Sequence, residues 1–132
     1  GVIATAREDT GIDIYMGVGG APEGVLAAAA LRCIGGQMQG RLVFRNDEER
    51  KRAVKLGVSD LSRKYDLGEM AKGEVIFAAT GVTDGSMLHG VRRANASVST
   101  ESLVMRSKTG TVRVISAEHN LTLKPVFENN LR

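Results

Sequence analysis

The chain has 132 residues, 42% hydrophobic and 25% charged, the size of a single domain and the balance of an ordinary globular protein, which excludes a disordered segment or a coiled coil. Its net charge of +3 comes from interspersed acids and bases and only 4% of residues are aromatic, so the electrostatic footprint and stacking platforms of a nucleic-acid binder are missing. Cys33 is the single cysteine, which permits no internal disulfide and fits a reducing compartment; the longest strongly apolar stretch is broken by Arg32, short of the roughly 20 residues of a membrane span, and no signal peptide is visible.

In chain order, VIATA (residues 2–6) begins in mid-pattern, without an N-cap or preceding turn, so a fragment or processed chain with a split site is expected. IDIYM (residues 12–16) reads as a short buried strand entering the turn GVGGA. A helix is predicted from Pro22 to about Gly35: alanine has the best helix propensity, and Val25, Leu26, Ala29 and Cys33 recur at helical spacing. Pro22 suits the first helical position, where the missing N–H has no intrahelical use. Glu23 then lies in the first turn, and Cys33 is a small hydrophobe on the apolar side.

MQGRLVF (residues 38–44) is the next predicted strand, giving strand, helix, strand and a sheet covered by helices. In NDEERKRAVKLG (residues 46–57) Asn46 or Asp47 can cap, acids precede bases along the helix, and Gly57 stops it. A solvated helix face accounts for ERKR (49–52) better than a phosphate site does. EVIFAATGV (residues 74–82) is a third strand, followed by the turn TDGS. SLVMRSKTGTVRVISAEH (residues 102–119) reads as a β-hairpin with turn residues Lys108 to Gly110. Around it, Arg106, Lys108 and Arg113 are either an anion patch or exposed strand and turn residues, and the second reading is favoured. The chain shows no internal repeat, low-complexity segment or linker.

The common catalytic constellations do not fit. His89 and His119 lie far apart without a cysteine partner for zinc. Ser86 lacks the flanking pattern of a nucleophile elbow. The third glycine of GxGxxG counted from Gly17 falls on Pro22, and Lys108–Thr109 lacks a P-loop lead. What remains is the corner from Gly17 to Glu23. Glycines let backbone approach a ligand closely, and a helix N-terminus favours anions. Glu23 is there either as a partner of the helix dipole or as a ligand of a hard cation that itself holds phosphate. The residues alone leave both open.

The blocks GVGGAPEGVLAAAALRCIGGQMQGRLVF, EVIFAATGVTDGSMLHGV and SLVMRSKTGTVR stand in order along the chain. Together they resemble the C-terminal part of a class II fructose-1,6-bisphosphatase, a family of the metal-dependent, lithium-sensitive sugar phosphatases. The resemblance runs from near Gly1 to about His119; residues 120–132 are not diagnostic. It implies an α/β layered sugar-phosphatase fold, residues 1–132 forming its C-terminal sheet with flanking helices and a terminal β-hairpin. It further implies hydrolysis of the 1-phosphate of fructose 1,6-bisphosphate to fructose 6-phosphate, in gluconeogenesis in the bacterial cytoplasm, with Mg²⁺ or Mn²⁺. By the same resemblance Glu23 is a metal ligand and Gly20 contacts substrate, and the enzyme is expected to be a homo-oligomer. The remaining acidic ligands, the threonine assisting the attacking water and an acidic sugar-binding segment belong to a portion before Gly1, so no catalytic residue is assigned in this chain, which alone is expected to be inactive. Two other readings are a non-catalytic binding or regulatory relative and, weakly, a nucleic-acid binder.

Overall fold

The structure is a computed structural model and describes residues 1–123; residues 124–132 of the undiagnostic tail lie outside the described residues. It divides into two compact units. The first comprises Gly1–Phe77 with Arg106–Thr111, and the second Ala78–Met105 with the chain from Val112 on.

In the first unit two 3₁₀ turns, Ile3–Ala6 and Glu8–Thr10, precede an extended stretch and then helix α1, Ala21–Ile34. Helix α1 starts one residue before the expected proline, and Gly35, at φ +85°, ends it in the left-handed conformation that glycine adopts without steric cost. The helix packs on the Ile3–Ala6 turn and on the single-turn helix α3, Leu67–Met70. Its covered residues are Ala28, Ala30, Leu31 and Cys33, with Leu31 wholly buried. This corrects the expected apolar face in part: Cys33 is inside, but Val25 is 47% and Leu26 57% exposed. A helix apolar all round has no single stripe that periodicity can select, and here only its C-terminal half is covered.

Strands β1, Gln39–Arg41, and β2, Lys64–Asp66, form a small antiparallel sheet with Gly40 opposite Tyr65. Between them runs α2, Asp47–Lys55, capped as expected by Asn46, whose Oδ1 accepts the Glu49 N–H at 2.9 Å; such a cap contributes about 1 kcal/mol. Only Ala53 of α2 is buried, so ERKR lies on a solvated face. The expected strand 12–16 is not formed. Residues 12–20 run without helix, turn or bend and are exposed, and none pairs with a strand among the described residues. The strand–helix–strand unit therefore does not close either, because β1 takes β2 as its partner. Apolar composition marks a segment that can be a strand, but a strand exists only when a neighbour accepts its backbone groups.

The larger sheet has β5, Ser97–Arg106, at its centre, paired with β3, Ile76–Thr80, with β4, Arg92–Ala94, and with β6, Thr111–Asn120. Strands β5 and β6 are the expected hairpin, begun five residues earlier, at Ser97, and turning at Gly110, φ +59°. Strand β4 pairs antiparallel with β5 through a tight turn in which Asn95 takes φ +52°. In the second unit Val98, Leu103 and Met105 are buried. The described residues thus form an α/β structure, and no helix among them is long and apolar enough to cross a membrane.

Candidate functional site

The Gly17–Glu23 corner is set by local rules. Gly20, φ −65° and ψ 147°, is the N-cap of α1; its carbonyl accepts the Gly24 N–H at 3.0 Å, and it has no side chain with which to cap. Pro22 sits in the first turn, where its missing N–H costs nothing. Glu23 is the third helical residue and is exposed. Its carboxylate folds back over the Gly20 Cα: a Cβ added to Gly20 would collide with Oε2 and stand 3.1 Å from Cδ. A side chain at Gly20 would therefore displace the glutamate carboxylate from this place, although the Gly20 backbone itself is one that any residue adopts.

A glutamate at this helical position commonly reaches back to the N-cap N–H and closes a capping box. Helix α3 does so: the Asp66 N–H donates to Glu69 Oε2 at 3.0 Å, and the Glu69 N–H to Asp66 Oδ1 at 2.8 Å. Glu69 also pairs with Arg63. Glu23 has the same place in α1, but the ion pairs of this unit lie elsewhere, at Arg7–Asp9, Arg45–Glu49, Arg50–Asp47, Arg63–Glu69 and Glu74. Its carboxylate has no ion partner among the described residues. Nor does any group of three or more Asp, Glu, His or Cys able to hold a metal occur among them. One carboxylate is a fitting ligand for a hard cation but not a complete site.

The hairpin bases are less available than an anion patch requires. Lys108 Nζ lies 2.7 Å from Glu74 Oε1, and Arg106 reaches Glu74 Oε2 at 3.7 Å; Arg113 is exposed. In α2, Arg50 pairs with Asp47 at 3.8 Å and stacks over Phe44 at 5.4 Å.

The second unit contains a polar network that sequence reasoning missed. Asp84 of the TDGS turn accepts the Gly90 N–H at 2.9 Å, and both its oxygens accept from Arg92 at 2.8 Å. The Gly90 N–H and the Arg92 guanidinium hold the Asp84 carboxyl below the usual aspartate range. The His89 N–H donates to Glu101 Oε2 at 2.7 Å. A recess of about 310 Å³ is lined by His89, Arg92, Ser99 and Glu101 among others, but its guanidinium is committed to Asp84 and a second carboxylate faces it, which disfavours phosphate. His119 does not line the recess but lies behind it, with Nε2 2.9 Å from Oγ1 of the lining residue Thr100. An aspartate six residues before a glycine and eight before an arginine was the available signal, but only loop closure joins them.

Residues 1–119 match the family described as bacterial fructose-1,6-bisphosphatase, glpX-encoded. The chain is 43% identical over 123 residues to the D-fructose 1,6-bisphosphatase class 2/sedoheptulose 1,7-bisphosphatase of Synechococcus sp. (strain JA-2-3B'a(2-13)), covering 83% of this chain and 35% of that one. It is 39% identical over 138 residues to fructose-1,6-bisphosphatase 1 class 2 of Escherichia coli (strain K12), covering 92% of this chain and 40% of the relative. The chain thus spans only 35 to 40% of the length of these relatives.

Proposed function

Because the chain belongs to the bacterial, glpX-encoded fructose-1,6-bisphosphatase family, we propose that it supplies one part of a sugar-bisphosphatase site and that Glu23 and Gly20 are its contributions. The reaction is hydrolysis of the 1-phosphate of fructose 1,6-bisphosphate to fructose 6-phosphate, a cytoplasmic step of gluconeogenesis, by a homo-oligomeric enzyme. The observation that carries this reading is the Glu23 carboxylate, exposed at the start of α1 and, among the described residues, without the capping or ionic partner that Glu69 has in α3.

The donor chemistry fits Mg²⁺ or Mn²⁺, both of which take carboxylate oxygens. Bound there with ligands from the rest of the longer protein, such an ion would neutralise phosphate charge and activate water. The chain's own residues do three things. Glu23 presents oxygen toward the ion. Gly20, having no side chain, lets the Glu23 carboxylate lie over its Cα and leaves its backbone open to a sugar phosphate. The first turn of α1 points its unpaired N–H groups and positive dipole end toward the same anion. These residues offer no base and no complete ligand set, so turnover requires the other portion of the polypeptide.

The test is a chimera in which residues 1–119 replace the matched portion of the E. coli relative. With Mn²⁺ it is expected to release phosphate from fructose 1,6-bisphosphate, while the 132-residue chain alone releases none. A folded chimera that binds metal but releases no phosphate from this substrate would overturn the reading.

A further inference from the structure

The stretch that enters the glycine turn is held by very little. The Ile12 N–H meets Thr10 Oγ1 at 3.4 Å, and from residue 13 to residue 19 no backbone hydrogen bond forms among the described residues. Its side chains are apolar and in water: Ile14 is 74%, Met16 85% and Val18 85% exposed. In an extended chain these three and Ile12 fall on one face, because residues two apart point the same way. Next along the chain, the first turns of α1 expose Val25 and Leu26. An extended backbone with open N–H and C=O groups and one apolar face is a template for another strand.

We infer that residues 12–18, with Val25 and Leu26, form a docking surface for a β-strand from the portion of the polypeptide that the longer relatives possess beyond the matched 35 to 40%. The inference rests on the proposed function for the identity of that partner. Two observations select it. The surface leads directly into the Glu23 corner, which among the described residues lacks the additional oxygen ligands a hard cation needs. A strand laid beside residues 12–18, at the ~4.8 Å spacing of paired strands, brings its own end residues next to the glycine turn. A second copy does this poorly. Antiparallel self-pairing over seven residues separates the two glycine turns by about 20 Å at ~3.3 Å per residue, so neither Glu23 gains ligands from the other.

The experiment is residue-resolved amide hydrogen exchange on the 132-residue chain and on the full-length chimera, with folding of the chimera checked by a thermal melt. In the chain alone, amides 13–18 are expected to exchange at nearly the free rate; in the chimera they are expected to slow by about 100-fold or more, as paired strand amides do. Met16→Asp in the chimera should return the segment to fast exchange. Fast exchange of residues 13–18 in a folded chimera overturns the docking surface, even if phosphate is released and the functional reading stands. Protection already present in the chain alone, rising with concentration, overturns it in favour of a second copy. Protected amides in a chimera that releases no phosphate sink the function while leaving the surface. If the chimera does not fold, the same measurement on the aligned segment of the E. coli relative, in its own full-length chain, decides between protection and free exchange.

Discussion

Helices α1 and α3 each place a glutamate at their third residue, and the two glutamates behave differently. Glu69 closes a capping box with Asp66 and pairs with Arg63. Glu23 faces a glycine cap that offers no side chain, has no ion partner among the described residues, and lies over a Cα stripped of its Cβ. The same position in a helix is thus structural in one case and available in the other. What separates them is the hydrogen bonding at the cap: the Glu69 carboxylate accepts the Asp66 N–H at 3.0 Å, whereas Glu23 accepts no such bond from the Gly20 N–H among the described residues. The bland account of Glu23, an acid favoured by the helix dipole, applies equally to both helices and does not explain the difference.

The contrast can be broken most severely at Gly20. Gly20→Val in the chimera drives the Glu23 carboxylate from its place, while the backbone at φ −65°, ψ 147° is one that valine adopts readily. The metal concentration for half-maximal phosphate release should rise by about 10- to 100-fold with the melting temperature almost unchanged. An unaltered metal requirement would remove Gly20 from the site. On the other side, Asp66→Ala removes the reciprocating cap of α3. It should cost about 1 kcal/mol in denaturant unfolding and leave the metal requirement of phosphate release untouched. A smaller contrast lies within α1. Leu26, 57% exposed, should be worth no more than about 0.5 kcal/mol when truncated to alanine in the 132-residue chain, and distinctly more in the full-length chimera, where we expect this half of the helix to be covered. Equal costs in the two would mean that nothing covers it.

Features fixed by neighbours in sequence were legible in advance. The Asn46 cap, the acid-to-base order of α2, the glycine end of α1 and the hairpin turn at Gly110 all rest on contacts within a few residues. Features that depend on what arrives from elsewhere were not. IDIYM has the composition of a strand but no neighbour to make it one. Val25 and Leu26 were indistinguishable from Ala28 and Leu31 in a helix apolar all round. Strands β2 and β4, three residues each, are too short for alternation to register, and the Asp84–Gly90–Arg92 network exists only because the loop closes.

The central claim, that Glu23 is a metal ligand and not a dipole partner, is tested most directly by titrating Mn²⁺ against phosphate release for Glu23→Gln in the chimera, with a thermal melt alongside. The amide keeps the shape and loses the charge. The account predicts a metal requirement raised by about 10- to 100-fold, a sharp fall in turnover and an unchanged melting temperature. A variant that turns over normally at limiting metal and loses instead about 0.3 to 1 kcal/mol of stability would contradict it, and would return Glu23 to the helix dipole.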